Sequence, residues 1–194
     1  TSYRYLGAVI TNKLSWSEHI TNIVIDTSRT LSYLKRTIRL SPPEIRRLTY
    51  GTFARSKLEY AAAIWSPHKE YFIASLEIAQ SRPARFIPSK FNSHASVKPI
   101  KSPLVTTCRI SQLLLFHKLY HDFSHFHGTL LLPPARTSRR LFNSNSVQRL
   151  HGSTFPFNKS FLPAAIEGLN RLSDAIALKM NSEKFKQSIG TLFS

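Results

Sequence analysis

The chain has 194 residues, enough for one good hydrophobic core or for one domain with a smaller appendage, and two small lobes are the upper bound. Its 27 Lys and Arg against 10 Asp and Glu leave a formal net charge of +17, far beyond what solubility calls for, so the composition points to a polyanionic partner. The longest apolar runs, such as Leu113 to Phe116, fall far short of the roughly 20 residues of a membrane span, and a single cysteine, Cys108, excludes an internal disulfide and a cysteine-based zinc site.

No membrane partner is therefore expected, and the protein is expected inside the cell, in nucleus or cytoplasm. The chain opens on Thr-Ser-Tyr-Arg-Tyr with neither an initiator Met nor a charged-then-apolar leader, which reads as a C-terminal fragment of something longer. Asn158-Lys159-Ser160 fits the glycosylation triplet by coincidence.

In chain order, Tyr3 to Ile10 is rich in aromatic and β-branched residues. Thr11-Asn12-Lys13 offers a turn before Leu14-Ser15-Trp16, so a short hairpin is predicted there. Ser15 and Glu18 are spaced as a capping box, and Ile20, Ile23, Val24, Thr27, Leu31, Leu34 and Ile38 recur at helical spacing, predicting a helix from about Ser17 to Arg39. Ser41-Pro42-Pro43-Glu44 starts a second helix, with Ser41 at the cap, running through Ile45, Leu48, Thr52 and Phe53 to Ile64. Pro67 then breaks the chain at Trp65-Ser66, so residues 55–81 should form a helical hairpin on which the rest packs.

The third helix should stop near Arg82-Pro83, because continuing to Phe86 costs roughly 3 kcal/mol in a lost backbone bond and a clash. A connector follows from Pro88 to Pro103, with a turn or two of helix around Ser93 to Val97, and then a helix from Leu104 to Phe123 closed by Gly128 and Pro133-Pro134. The Ser/Asn/Gly/Phe-rich tract to Asn158 reads as loop with a weak hairpin at Val147 to Leu150. Short helices are predicted from Pro163 to Leu172 and from Ser182 to Phe193. The predicted fold is mainly α: a helical bundle with a short N-terminal β-hairpin and a loop-rich C-terminal tail, divided at residues 1–16, 17–132 and 133–194.

Two-metal phosphoryl or nucleotidyl transfer needs carboxylates close enough to share ions about 4 Å apart. The ten acids here are scattered without an Asp-Asp or Asp-x-Asp unit, and the six glycines are too dispersed for a phosphate loop, so no catalytic residue is assigned. Glu59 is read as the ion-pair partner of Arg55, four residues away. His117, His121 and His125 recur every four residues, but three such positions span more than about 10 Å, so one ion takes two of them at most. They are read as partly buried side chains beside Phe116, Tyr120 and Phe126, and no metal or other cofactor is expected in this chain. The stronger signal is basic. Arg29, Lys35, Arg36, Arg39, Arg46, Arg47, Arg55 and Lys57 fall on two helices, with Glu44 the only acid between Arg29 and Lys57 and Glu59 two residues beyond, and are expected to form one face that follows a phosphate backbone. Six or more engaged phosphates would lower affinity about 1,000-fold between 50 and 200 mM salt.

Several stretches together resemble the C-terminal part of reverse transcriptases from non-LTR (LINE-type) retrotransposons, most of all the Jockey-like elements of arthropods such as ticks. They are Tyr3-Arg-Tyr-Leu-Gly7, Leu14-Ser-Trp-Ser-Glu-His-Ile20, Leu58-Glu-Tyr-Ala with Ile64-Trp-Ser-Pro67, and Leu76-Glu77 with Gln80-Ser-Arg-Pro-Ala-Arg-Phe-Ile87. Arg136-Thr-Ser-Arg-Arg-Leu-Phe142, Val147-Gln-Arg149, His151-Gly-Ser-Thr154 and Ser160-Phe-Leu-Pro-Ala-Ala-Ile166 extend the likeness over most of the chain. The resemblance implies that Tyr5, Leu6 and Gly7 belong to the primer grip and that the helices after them form the thumb of an RNA-directed DNA polymerase. The implied partners are an RNA template and a DNA primer, held as a hybrid, and the upstream palm and fingers of the same polyprotein. The metal-binding aspartates belong to that palm and are not in this chain. Ser56, where the family usually has Pro, and Pro83, where it has Ala, depart from its pattern, as do positions near Leu169 and Ser173, where it has Trp and Pro; such changes suit a decaying genomic copy. The alternatives are a free-standing basic structural RNA- or DNA-binding protein and an inactive transposon relic.

Overall fold

In the computed structural model, which describes residues 2–13, 15–85, 87, 103–122, 131–133, 146–179 and 181–193, the chain is mainly helical with one short hairpin, as its patterning predicts. The hairpin turns earlier than expected. β1 (Ser2–Tyr5) pairs antiparallel with β2 (Ala8–Thr11), Tyr5 opposite Ala8, so the turn is Leu6-Gly7 and not Thr11-Asn12-Lys13. Leu6 at φ 45° and Gly7 at φ 82° both take the left-handed region, which a two-residue loop needs to match the twist of its strands. Thr11 instead anchors the chain ahead of the first helix, where its hydroxyl donates to the Ser15 carbonyl and accepts from the Ser15 N–H, both at 2.9 Å. That N–H is the group Glu18 would have held in a capping box, so the expected box does not form.

α1 (Ser17–Thr37) buries Ile20, Thr27, Leu31 and Leu34 along one ridge and ends two residues before Arg39. α2 (Pro43–Thr49) begins after Pro42 and not on a Ser41 side-chain cap; the Ser41 carbonyl accepts from Arg46 Nε at 2.8 Å. The predicted uninterrupted second helix is instead four pieces: α2, a π-helical turn (Tyr50–Arg55), α3 (Ser56–Glu59) and α4 (Ala62–Trp65). In α-helical geometry Arg55 would lie about 140° around the axis from Tyr50. The wider i→i+5 winding lets Tyr50, Ala54 and Arg55 all turn inward, and Ala61 at φ 52° then breaks the helix before α4. α5 (Glu70–Ser81) gives way at Arg82-Pro83 to a 3-10 turn (Arg82–Arg85), where proline predicts its end.

The chain divides into two compact units, residues 1–61 with 67–107 and residues 62–66 with 108–194. This division passes through α6 (Leu104–Asp122), and the hairpin groups with the first helical unit. The helical hairpin expected about Pro67 is not an organising element, since Ala62–Ser66 and α5 belong to different units. In the first unit α1 packs on β2, the π-turn, α3 and α5, around Leu31, Leu34, Tyr50 and Ala54.

The second unit holds the C-terminal part of α6 with α7 (Phe155–Asn158), α8 (Phe161–Asn170), α9 (Asp174–Ala177) and α10 (Ser182–Leu192). Phe116, Ile166, Leu169, Phe185 and Ile189 anchor its apolar core. A Cβ on Gly168 would stand 2.9 Å from Leu113 Cδ2, so α6 and α8 approach closely there. In place of the weak hairpin expected at Val147, the side chain of Asn170 accepts from the Val147 N–H at 3.0 Å and donates to its carbonyl at 2.8 Å, imitating a strand partner. Asn158 does the same for Gly152, so the glycosylation-triplet asparagine has its amide in use. The expected helical turn at Ser93 to Val97, His125 and the Arg136 stretch lie outside the described residues.

Candidate nucleic-acid interface

The basic residues separate by where the helices aim them. On α1, at about 100° per residue, Arg29 and Arg36 lie roughly 160–180° from the buried Ile20 ridge, on the side turned away from the core. Arg29, Lys35, Arg36 and Arg39 are all exposed, and Arg29 makes a surface ion pair with Asp26 at 3.7 Å. Such a pair contributes about 0–1 kcal/mol, so it leaves the guanidinium open to exchange for a stronger anion.

The other four do not join that row. Lys57 is exposed, but its Nζ donates to Thr30 Oγ1 at 2.9 Å, on the opposite flank of α1 from Ser28. Arg46 turns back to the Ser41 carbonyl, and Arg47 is exposed on α2. Arg55 corrects the expectation most sharply: it is 0% exposed. Its Nε donates to Glu59 Oε1 at 2.6 Å, as the four-residue spacing predicts, and its Nη2 to Thr107 Oγ1 at 3.3 Å. Burial raises the Tyr50 phenol above its usual pKa, opposed by the positive charge of Arg55. Arg55 is therefore a core cation of the first unit and not a surface contact.

Sequence spacing gave no sign of Arg82. From the end of α5 its Nη1 donates to Ser28 Oγ on α1 at 2.9 Å, across 54 positions of chain. Arg82, Ser28, Arg29, Ser32 and Arg36 line an open groove of about 520 Å³ over Val24 and Ile25. A second depression of about 450 Å³ shares Ile25 and Arg29 and reaches Tyr3 and Arg4, but Glu18 and Asp26 make its charge mixed.

Tyr5 and Leu6 are 58% and 73% exposed at the hairpin tip, and the Leu6 carbonyl accepts from the Tyr60 hydroxyl at 2.6 Å. Gly7 sits beneath the same ring, where an added Cβ would lie 3.4 Å from Tyr60 Cε1. Tyr5, Leu6 and Gly7 thus stand together on a tip tied to the end of α3.

In the second unit His117 Nε2 lies 2.6 Å from the Lys179 carbonyl, and its ring stacks on Phe185 with centroids 4.1 Å apart. Its ring lies 4.4 Å from that of His121. Among the described residues no group of three or more His, Cys, Asp or Glu side chains is placed to hold a metal ion, and no helix is long and apolar enough to cross a membrane. No protein-family model, curated protein or solved structure matches the chain.

Proposed function

We propose that this chain is the thumb and C-terminal segment of a LINE-type reverse transcriptase, holding the hybrid of RNA template and DNA primer during target-primed reverse transcription. The upstream palm supplies the divalent metals and the chemistry, and the work is done in the nucleus or cytoplasm. The family resemblance supports the assignment. The observation that carries it is four exposed cations, Arg29 and Arg36 on the side of α1 away from its buried ridge, Lys35 on its flank and Arg39 two residues past its end. Guanidinium and ammonium groups on a helix surface bind phosphates without reading bases, as a polymerase holding any product must.

With Arg55 in the core and Arg46 and Lys57 turned elsewhere, these cations engage about four phosphates. Affinity for an RNA–DNA hybrid should therefore fall at least about 100-fold between 50 and 200 mM salt, equally for unrelated sequences. Fluorescence anisotropy over that range tests it, with the four residues changed together to Ser as the comparison. A flat salt response, or a fourfold variant that binds like wild type, refutes the assignment.

A further inference from the structure

We infer that the groove between α1 and the end of α5 seats one phosphodiester of a polynucleotide strand, with Arg82 as a ligand; this rests on the hybrid-holding reading above. Three guanidinium groups, Arg29, Arg36 and Arg82, line the groove; Asp26, the surface partner of Arg29 at 3.7 Å, is not among its lining residues, and neither is any other carboxylate among the described residues. Three like charges gathered on one concave surface favour an anion over open solvent. Arg82 is placed for this by Ser28, whose hydroxyl accepts at 2.9 Å and so engages one of the five guanidinium donors. The remaining fork matches the two non-bridging oxygens of a phosphodiester, which a guanidinium grips with two parallel hydrogen bonds.

Ser32 adds a hydroxyl donor one helical turn from Ser28, and the apolar floor of Val24 and Ile25 suits the carbon face of a sugar. A free phosphate would leave that floor unused. The combination of cationic wall, hydroxyl donors and apolar floor fits a sugar-phosphate unit, and the open ends of the groove let a strand pass through.

The test measures hybrid affinity against salt for wild type, Arg82→Ala, Arg82→Lys and Ser28→Ala, together with the NMR signal of the Arg82 Nε–H. Arg82→Ala should weaken binding about tenfold and lower the salt slope by about 1. Arg82→Lys should keep the slope but lose affinity, because an ammonium keeps the charge without the fork. Ser28→Ala should act in the same direction as Arg82→Lys, and less. The Nε–H signal should move on adding a thymidine trinucleotide and stay in place with inorganic phosphate at equal concentration. If wild type binds the hybrid and Arg82→Ala matches it in affinity and slope, the seat is overturned while the hybrid-holding reading stands. If the trinucleotide moves the signal but wild type shows no salt-dependent hybrid binding, the seat stands and the reading falls. Equal movement with inorganic phosphate, or Arg82-dependent capture by phosphatidylserine vesicles, overturns the assignment to a nucleic-acid strand.

Discussion

The second unit packs Phe116, Leu131, Val147, Ile166, Leu169, Phe185 and Ile189 against one another, with His117 hydrogen-bonded to the Lys179 carbonyl and Asn170 to the backbone of Val147. The first unit also buries apolar side chains, among them Ile20, Leu31, Leu34, Tyr50, Leu58 and Leu76, but sets His19, Thr27 and Arg55 in the interior with them. Hydrocarbon burial is non-directional and insensitive to charge, at roughly 25 cal/mol per Å² of apolar surface. A buried ion pair adds little net stability while intact and costs much when one partner goes. The second unit should therefore answer chiefly to lost volume, and the first to lost charge and to pH as well.

The largest effect should come from Phe185→Ala. The ring is 0% exposed and stacks on His117, so its removal leaves a cavity and strips a face from the imidazole. A cost of about 3–5 kcal/mol is expected in urea unfolding, read through the buried Trp65 in a Trp16→Phe background. A loss below about 1 kcal/mol would mean that this core is not close-packed and would remove the contrast.

Next in size is the ion pair of the first unit. Glu59→Ala leaves the Arg55 guanidinium in the core without its carboxylate, whereas Arg55→Met leaves only a carboxylate whose side chain is 29% exposed. Solvent access trims the penalty, so Glu59→Ala should cost about 2–3 kcal/mol and Arg55→Met distinctly less. Denaturant midpoints of the two variants give the order. The reverse order, or tighter hybrid binding by Glu59→Ala, would return Arg55 to the surface set.

The sequence made α1, α5, α6 and α10 readable because each carries a long apolar period or a sharp stop, and Pro83 placed the end of α5. The hairpin turn was hidden because Leu6 takes a positive φ that bulky residues rarely adopt, while Thr11-Asn12-Lys13 has conventional turn chemistry. The π-turn has no proline or glycine pair to announce it, so the arginines at 46, 47 and 55 looked like one exposed face. The Arg55–Glu59 spacing foretold their ion pair, which forms, but carried no sign that the pair lies inward. Of the candidate site, Arg29 and Arg36 were legible from their spacing on the outward side of a single helix. Arg82 was not, because its place depends on how α5 crosses α1, 54 residues away in sequence.

The smallest expected effect separates the units by pH. His19 is buried, with Nδ1 accepting from the Val9 N–H at 3.3 Å, so the hairpin is fastened to α1 by an unprotonated nitrogen. Burial, and then the positive charge of Arg4, hold its pKa below the ordinary value near 6.5. The unfolded chain takes up this proton at a higher pH than the folded one does. The contribution is therefore fully present above about pH 6.5 and is lost as pH falls through the lower folded value. Urea midpoints of the first unit should decline between pH 7.5 and 5, and His19→Asn, which keeps an acceptor near the Nδ1 position and cannot protonate, should flatten that decline. Equal acid sensitivity in the variant would assign the loss to other groups. Because the hairpin tip bearing Tyr5, Leu6 and Gly7 moves with this fastening, amide exchange at Leu6 and Gly7 should quicken over the same pH interval in wild type, beyond intrinsic rates, and not in His19→Asn.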